Sequence, residues 1–192
     1  PPPARRPRAG RPPVRRMIDP DNLTDFGRDD DALEELALFC PLTVATSGHQ
    51  AARTLAALLN GARASLTHLP RPSSPFGLLD SAFRVAPFGR SSRPLEAAVR
   101  EAGARFYRMK AAALWGLVVA GRNTNPPLDL RACTRDDLCR LHGFSRKTAS
   151  LFLLHSRPGW RGACLDRHVL RRLRALYPHR RVPASSPQGR RE

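Results

Sequence analysis

Of the 33 basic residues in the chain only two are lysines, and one of these, Lys147, stands in Leu141-His-Gly-Phe-Ser-Arg-Lys-Thr-Ala-Ser150. Arginine fills almost every position where a positive charge is enough. A lysine retained against that bias offers what a guanidinium cannot: an amine that can lose its proton near neutral pH, attack an electrophilic carbon and form a Schiff base. Nineteen residues further on, Asp166 lies in Cys164-Leu-Asp-Arg-His-Val169. A carboxylate near such an amine can stabilise positive charge that develops on the carbon under attack. Lys147 is therefore the first residue to explain. His168, two residues past Asp166, reads as a structural histidine rather than a proton carrier; its place suits orienting that carboxylate, and it is also a candidate DNA-binding residue.

The residues around Lys147 must be held by local structure. Thr134-Arg-Asp-Asp137 sets a hydroxyl three residues ahead of a carboxylate, a capping box with Asp in the Glu position, and predicts a short helix to Leu141. Gly143-Phe144-Ser145 makes a turn, and a second helix is expected over 146–155, packing through Ala149, Phe152 and Leu153. Helix, tight turn and helix within 134–155 form a helix-hairpin-helix. Such a hairpin presents successive backbone N–H groups and a helix N-terminus to a phosphate oxygen, so it grips a DNA backbone without reading bases. Gly143, Phe144, Ser145, Arg146 and Thr148 are the candidate DNA-binding residues there.

The rest of the chain reads as helices too. Leu33, Leu36, Ala37 and Cys40 share one helical face behind the acidic turn Asp29-Asp30-Asp31, with Pro41 closing or kinking the helix. A second helix is expected over 49–59, stopped by Asn60-Gly61. Short helices follow over 76–83 and 94–102, and a long one over 105–120 whose core face carries Tyr107, Ala111, Leu114, Trp115 and Val118. A last helix opens at Asp166 and ends near Leu176. With no alternating strand pattern and no repeat, the fold class is all-α. The expected domain spans 29–177. Before it come a disordered Pro/Arg-rich tail (1–16) and a lead-in to residue 28; after it comes a basic tail over 178–192. Met17 is read as a start preceded by an extension, with a DNA-tethering arm as the other reading of the tail.

A formal net charge of +17 points to a polyanionic partner, nucleic acid first, because clustered arginines displace counterions from phosphates. A GC-rich coding sequence would also inflate arginine, so the charge alone does not decide. Cys40, Cys133, Cys139 and Cys164 have no spacing typical of zinc or of an iron–sulfur cluster, and read as reduced thiols. No metal or cofactor is expected. Neither a signal-peptide pattern nor an apolar run long enough for a membrane is present in the sequence, so a soluble, intracellular protein is expected, and a monomer.

The stretch from 138 to 170 resembles the helix-hairpin-helix DNA glycosylases, the superfamily of endonuclease III and the 8-oxoguanine glycosylases. The resemblance rests on Leu138, Leu141, Gly143, Lys147, Thr148 and Ala149, then on Leu165-Asp166-Arg-His168. The family usually has a second glycine where this chain has Ser145, so Ser145 is expected in a backbone conformation that glycine takes freely. More weakly, Leu36 to Leu59 is similar to the family's early helix pair, with Ser47-Gly-His-Gln50 at its wedge, and Gly103 to Lys110 to its glycine-to-lysine segment. Residues 182–189 are similar to a segment of small glycosylase-like proteins of phage and bacteria. Members carry a further helix after the aspartate, so a chain that runs 26 residues beyond Asp166 reads as truncated.

The resemblance implies a DNA repair glycosylase with AP-lyase activity. Lys147, unprotonated in a water-poor cleft beside arginines, would displace the base from the sugar, and the resulting Schiff base would labilise the 3′ phosphate to β-elimination. Asp166 would stabilise the positive sugar. A base inside a duplex must be extruded and its gap filled, which falls to Gln50 or neighbouring His49. Phe39, Trp115 and Phe144 could line a base pocket, though each also reads as packing. The implied partner is double-stranded DNA with a damaged base, an 8-oxoguanine-like purine, or an abasic site. The implied place is the nucleoid in the cytoplasm of a prokaryote or phage-infected cell. A noncatalytic hairpin DNA-binding protein and a phage-type base-modifying enzyme on the same fold stay open as alternatives.

Overall fold

The computed structural model describes residues 18–66, 74–84, 93–165 and 167–180. The expected disordered tail over 1–16, most of the C-terminal tail and Asp166 itself lie outside the described residues. Among the described residues there are eight helices and no strand, an all-α fold.

Helix α1 (Asp30–Leu42) begins where Asp29 accepts a hydrogen bond from the Ala32 amide at 2.8 Å, with Asp30 and Asp31 in the first turn facing the positive end of the helix dipole. Pro41 sits in its last turn. From Leu33 on, nearly every residue of α1 is buried, Leu36, Leu38 and Phe39 completely. A helix apolar on all sides belongs in the middle of a fold. Around it, α2 (Gly48–Ser65), α3 (Pro75–Arg84), α4 (Arg93–Glu101) and α5 (Tyr107–Arg122) pack among themselves, while α6 (Arg135–Cys139) pairs with α7 (Arg146–Ser156). Among the described residues only α1 makes extensive contact with both groups. The last helix, α8 (Arg167–Leu176), buries Leu170 and leaves Val169 and Leu176 exposed.

Two expectations need correction. Helix α2 does not stop at Asn60-Gly61 but continues to Ser65. Leu58, Leu59, Ala62 and Leu66 are buried in one stripe, and that burial outweighs the roughly 1 kcal/mol that glycine costs in a helix. The second correction concerns residues 18–28, expected as a lead-in ahead of the helical body, which instead pack onto it. Ile18 and Leu23 pack against the core, and the Ile18 amide donates to Glu35 Oε1 at 3.0 Å. The Arg28 guanidinium donates to the carbonyls of Leu23, Asp25 and His155 at 2.6, 2.8 and 3.1 Å. Thr24 Oγ1 meets His155 Nδ1 at 2.9 Å. The lead-in is thus latched onto the end of α7. Burial, and then the Arg28 charge, lower the His155 pKa from its ordinary value.

The expected core face of α5 is present in Ala111, Leu114 and Val118, all fully buried, with Tyr107 and Trp115 half-buried beside them. Phe39 and Phe144 also belong to the core, at 0% and 7% exposure, which leaves neither to line an open pocket.

Candidate functional site

The hairpin is built from its caps inward. Thr134 Oγ1 accepts from the Asp137 amide at 3.2 Å, and Asp137 Oδ2 accepts from the Thr134 amide at 2.9 Å, completing the expected capping box. The Thr134 hydroxyl, donating to Asp137 Oδ2 at 2.7 Å, and then the Thr134 amide hold the Asp137 carboxyl below its usual pKa. Leu138 anchors α6 in the core, and the Phe144 amide donates back to Leu141 O to close the turn. Gly143 takes φ +80°, and a Cβ there would stand 2.5 Å from Ala113 Cβ and 3.5 Å from Met109 O. The turn therefore rests directly on the first half of α5.

Ser145 departs from expectation. Its φ of −93° and ψ of 166° are extended, so it does not copy a glycine conformation. It is the N-cap of α7, its Oγ accepting from the Thr148 amide at 3.2 Å and lying 3.0 Å from Thr148 Oγ1. A serine serves better than glycine in this role, because the side chain fills one of the acceptor vacancies at a helix start.

Gly143, Phe144, Ser145, Arg146, Lys147 and Thr148 thus come together at one helix entrance. Arg146 is exposed, Thr148 is buried, and Lys147 is half-buried in the first turn of α7. The Cys164 thiol donates to the Lys147 carbonyl at 3.5 Å. The segment after α7 therefore runs back to the hairpin and brings Cys164, two residues ahead of Asp166 in sequence, against the helix turn that carries the amine. His168 is exposed in the first turn of α8.

Gln50 lies on a different loop pair. Ser47 caps α2 by accepting from the Gln50 amide at 3.2 Å, and Gln50 Oε1 accepts from Arg53 at 3.0 Å. Its Nε2 is 3.7 Å from the position of a Cβ on Gly103, which opens the α4–α5 loop with φ +80°. Neighbouring His49 is exposed and 3.3 Å from Asp21. The α4–α5 loop ends at Phe106, which has φ 55° and is 56% exposed. The Arg105 guanidinium stands 5.9 Å from its ring, and those of Arg100 and Arg108 stand equally far from the ring of Tyr107. An exposed aromatic in a left-handed conformation is held against its own preference. Phe106 precedes Met109 by about one helical turn, so this loop and the Gly143 turn share one end of α5.

Sequence reasoning missed two residues here. Phe106 looked like an interior residue of a helix that actually starts one position later. Lys110, the other lysine, is 1% exposed. Burial lowers its pKa, and repulsion by Arg105 adds to the effect. Its retention in an arginine-rich chain was the available signal, since a buried amine can be neutral where a guanidinium cannot.

Two of the thiols are not poised for chemistry: burial raises Cys40 strongly and pushes Cys133 up to about 11. Among the described residues no group of three or more His, Cys, Asp or Glu could hold a metal ion, and no helix is long and apolar enough to cross a membrane. No known family, curated protein or solved structure matches the chain.

Proposed function

We propose that this chain is a DNA glycosylase with AP-lyase activity that cleaves the bond between a damaged base and its sugar through Lys147. The observation that carries the reading is the seat of Lys147. It is half-buried in the first turn of α7, directly behind a capped hairpin whose helix entrance offers backbone donors to a phosphate, with Cys164 tied to its carbonyl. A phosphate gripped at that entrance would bring the sugar of the same strand close to the amine. The amine attacks the anomeric carbon, the base leaves with the bonding electrons, and loss of the ring oxygen's bond gives the imine. Abstraction of a proton from the 2′ carbon then expels the 3′ phosphate. In this scheme Asp166 stabilises the positive sugar.

The neighbouring surface supports duplex DNA as the substrate. Gln50, Phe106 and the nearby arginines lie at the same end of α5 as the hairpin, so that end carries phosphate-pairing charge and two side chains able to fill the gap left by an extruded base. The damaged base is taken to be an 8-oxoguanine-like purine.

Borohydride reduction of an imine decides the matter. The wild-type chain should be trapped covalently on a lesion-containing duplex, and Lys147→Gln should still bind DNA yet lose both the adduct and strand cleavage. If Lys147→Gln nicks at the wild-type rate, the amine mechanism is wrong. If neither protein is trapped or cleaves while both bind, the chain is a noncatalytic DNA-binding protein.

A further inference from the structure

The hairpin is not the only recess attached to α6. At the opposite end of that helix a cavity of about 290 Å³ is lined by Thr134, Arg135, Asp136, Trp160 and Gly162. Three features make it more than a surface dent. A Cβ on Gly162 would collide with the six-membered ring of the Trp160 indole, so the ring lies directly against the Gly162 backbone and is fixed as a flat, half-buried wall. Arg135 lines the recess with a half-buried side chain. Asp136 adds an exposed carboxylate to the same recess.

A half-buried guanidinium brings N–H donors that an occupant of the recess can satisfy. An occupant that uses the whole lining therefore has an acceptor for Arg135 and a flat apolar face for Trp160. A simple anion would satisfy the arginine, waste the indole and meet repulsion from Asp136. An aliphatic ligand would bring the arginine no acceptor. A nucleobase meets all three demands: its π-face stacks on the indole, a carbonyl or ring nitrogen accepts from Arg135, and an exocyclic amine can donate to Asp136.

We propose that this recess binds an unpaired nucleobase, stacked on Trp160 and accepting a hydrogen bond from Arg135, at a site separate from the hairpin. The choice of occupant rests on the reading that the chain works on DNA. The segment carrying Trp160 and Gly162 runs on to Cys164, which is bonded to Lys147. A base held here would steady the peptide that backs the first turn of α7.

The chain has two tryptophans, so in the full-length Trp115→Phe protein only Trp160 emits. Deoxyguanosine monophosphate should quench that emission saturably, and deoxyribose 5-phosphate should not. In equilibrium dialysis Trp160→Leu should weaken binding of the nucleotide roughly 10- to 100-fold. Arg135→Gln, a milder change at a partly exposed residue, should weaken it as well. A single-stranded hexadeoxynucleotide that quenches more strongly than the mononucleotide marks a strand-borne base as the occupant; equal quenching marks a free nucleotide. The proposal is overturned if neither probe quenches, if the sugar phosphate quenches equally, or if Arg135→Gln binds like the parent. Repeating the titration in Lys147→Gln keeps this result independent of strand cleavage, so either conclusion can fail alone.

Discussion

Replacing Gly143 by alanine tests whether the hairpin stands on α5 as described. Two costs add. An L-residue at φ +80° pays about 1–2 kcal/mol for the left-handed conformation. The new methyl would also lie 2.5 Å from Ala113 Cβ and 3.3 Å from its Cα, and relieving such overpacking costs roughly 1–3 kcal/mol. The sum, about 2–5 kcal/mol, is a large part of the stability of an ordinary domain. At roughly 2–4 °C per kcal/mol for a chain of this size, a mid-range loss lowers the Tm by about 7–14 °C. Gly159→Ala is the matched control: its φ is +73° and nothing lies within 4 Å, so only the backbone cost applies. Urea unfolding of both variants, with Ala113→Gly added to each, separates the terms, because Ala113→Gly should partly rescue Gly143→Ala and not Gly159→Ala. Anisotropy with a labelled duplex should show weaker binding for Gly143→Ala alone. Equal destabilisation by the two glycine substitutions, with no coupling to Ala113, would refute the contact and the placement of the hairpin on α5.

Three further outcomes follow from the packing. Lys110→Met should stabilise the fold at neutral pH. The unfolded chain holds its lysine proton up to about 10.5 while the buried amine sheds it earlier, so wild-type stability rises with pH below that value and its deficit against Lys110→Met narrows, as urea midpoints across a pH series will show. Gly61→Ala, in the exposed middle of α2 with nothing within 4 Å, should raise stability by up to about 1 kcal/mol in thermal unfolding. Ser145→Ala should cost about 1 kcal/mol and Ser145→Gly only a few tenths; a stabilising Ser145→Gly would contradict the extended cap conformation.

What could be read in the sequence was mostly local. The capping box at Thr134, the acidic start of α1 and the apolar faces of α5 and α7 are set by residues three or four apart, and the structure has them where the spacing puts them. The misread points depend on partners far away in the chain. Asn60-Gly61 is a stop signal in isolation, but the stripe from Leu58 to Leu66 needs α2 to continue. Ser145 aligned with a glycine by position, whereas its hydroxyl let a different backbone geometry do the same job. Nothing near Arg28 reveals that its guanidinium will reach the carbonyl of His155, and nothing near Lys110 reveals that it will be covered. The pocket at Trp160 joins residues from two segments that only the return of the chain after α7 brings side by side.

The central position of α1 has a consequence for how the chain is made. Its apolar sides are synthesised well ahead of their cover, because α7, which packs on one of them, begins more than a hundred residues later. At roughly 5–20 residues per second, Leu36 and Phe39 emerge from the ribosome on the order of 5–20 s before that cover arrives. During this interval the nascent chain shows a greasy stripe to its surroundings, so the yield of native protein should depend on translation speed and on the holding chaperones that meet it at the exit tunnel.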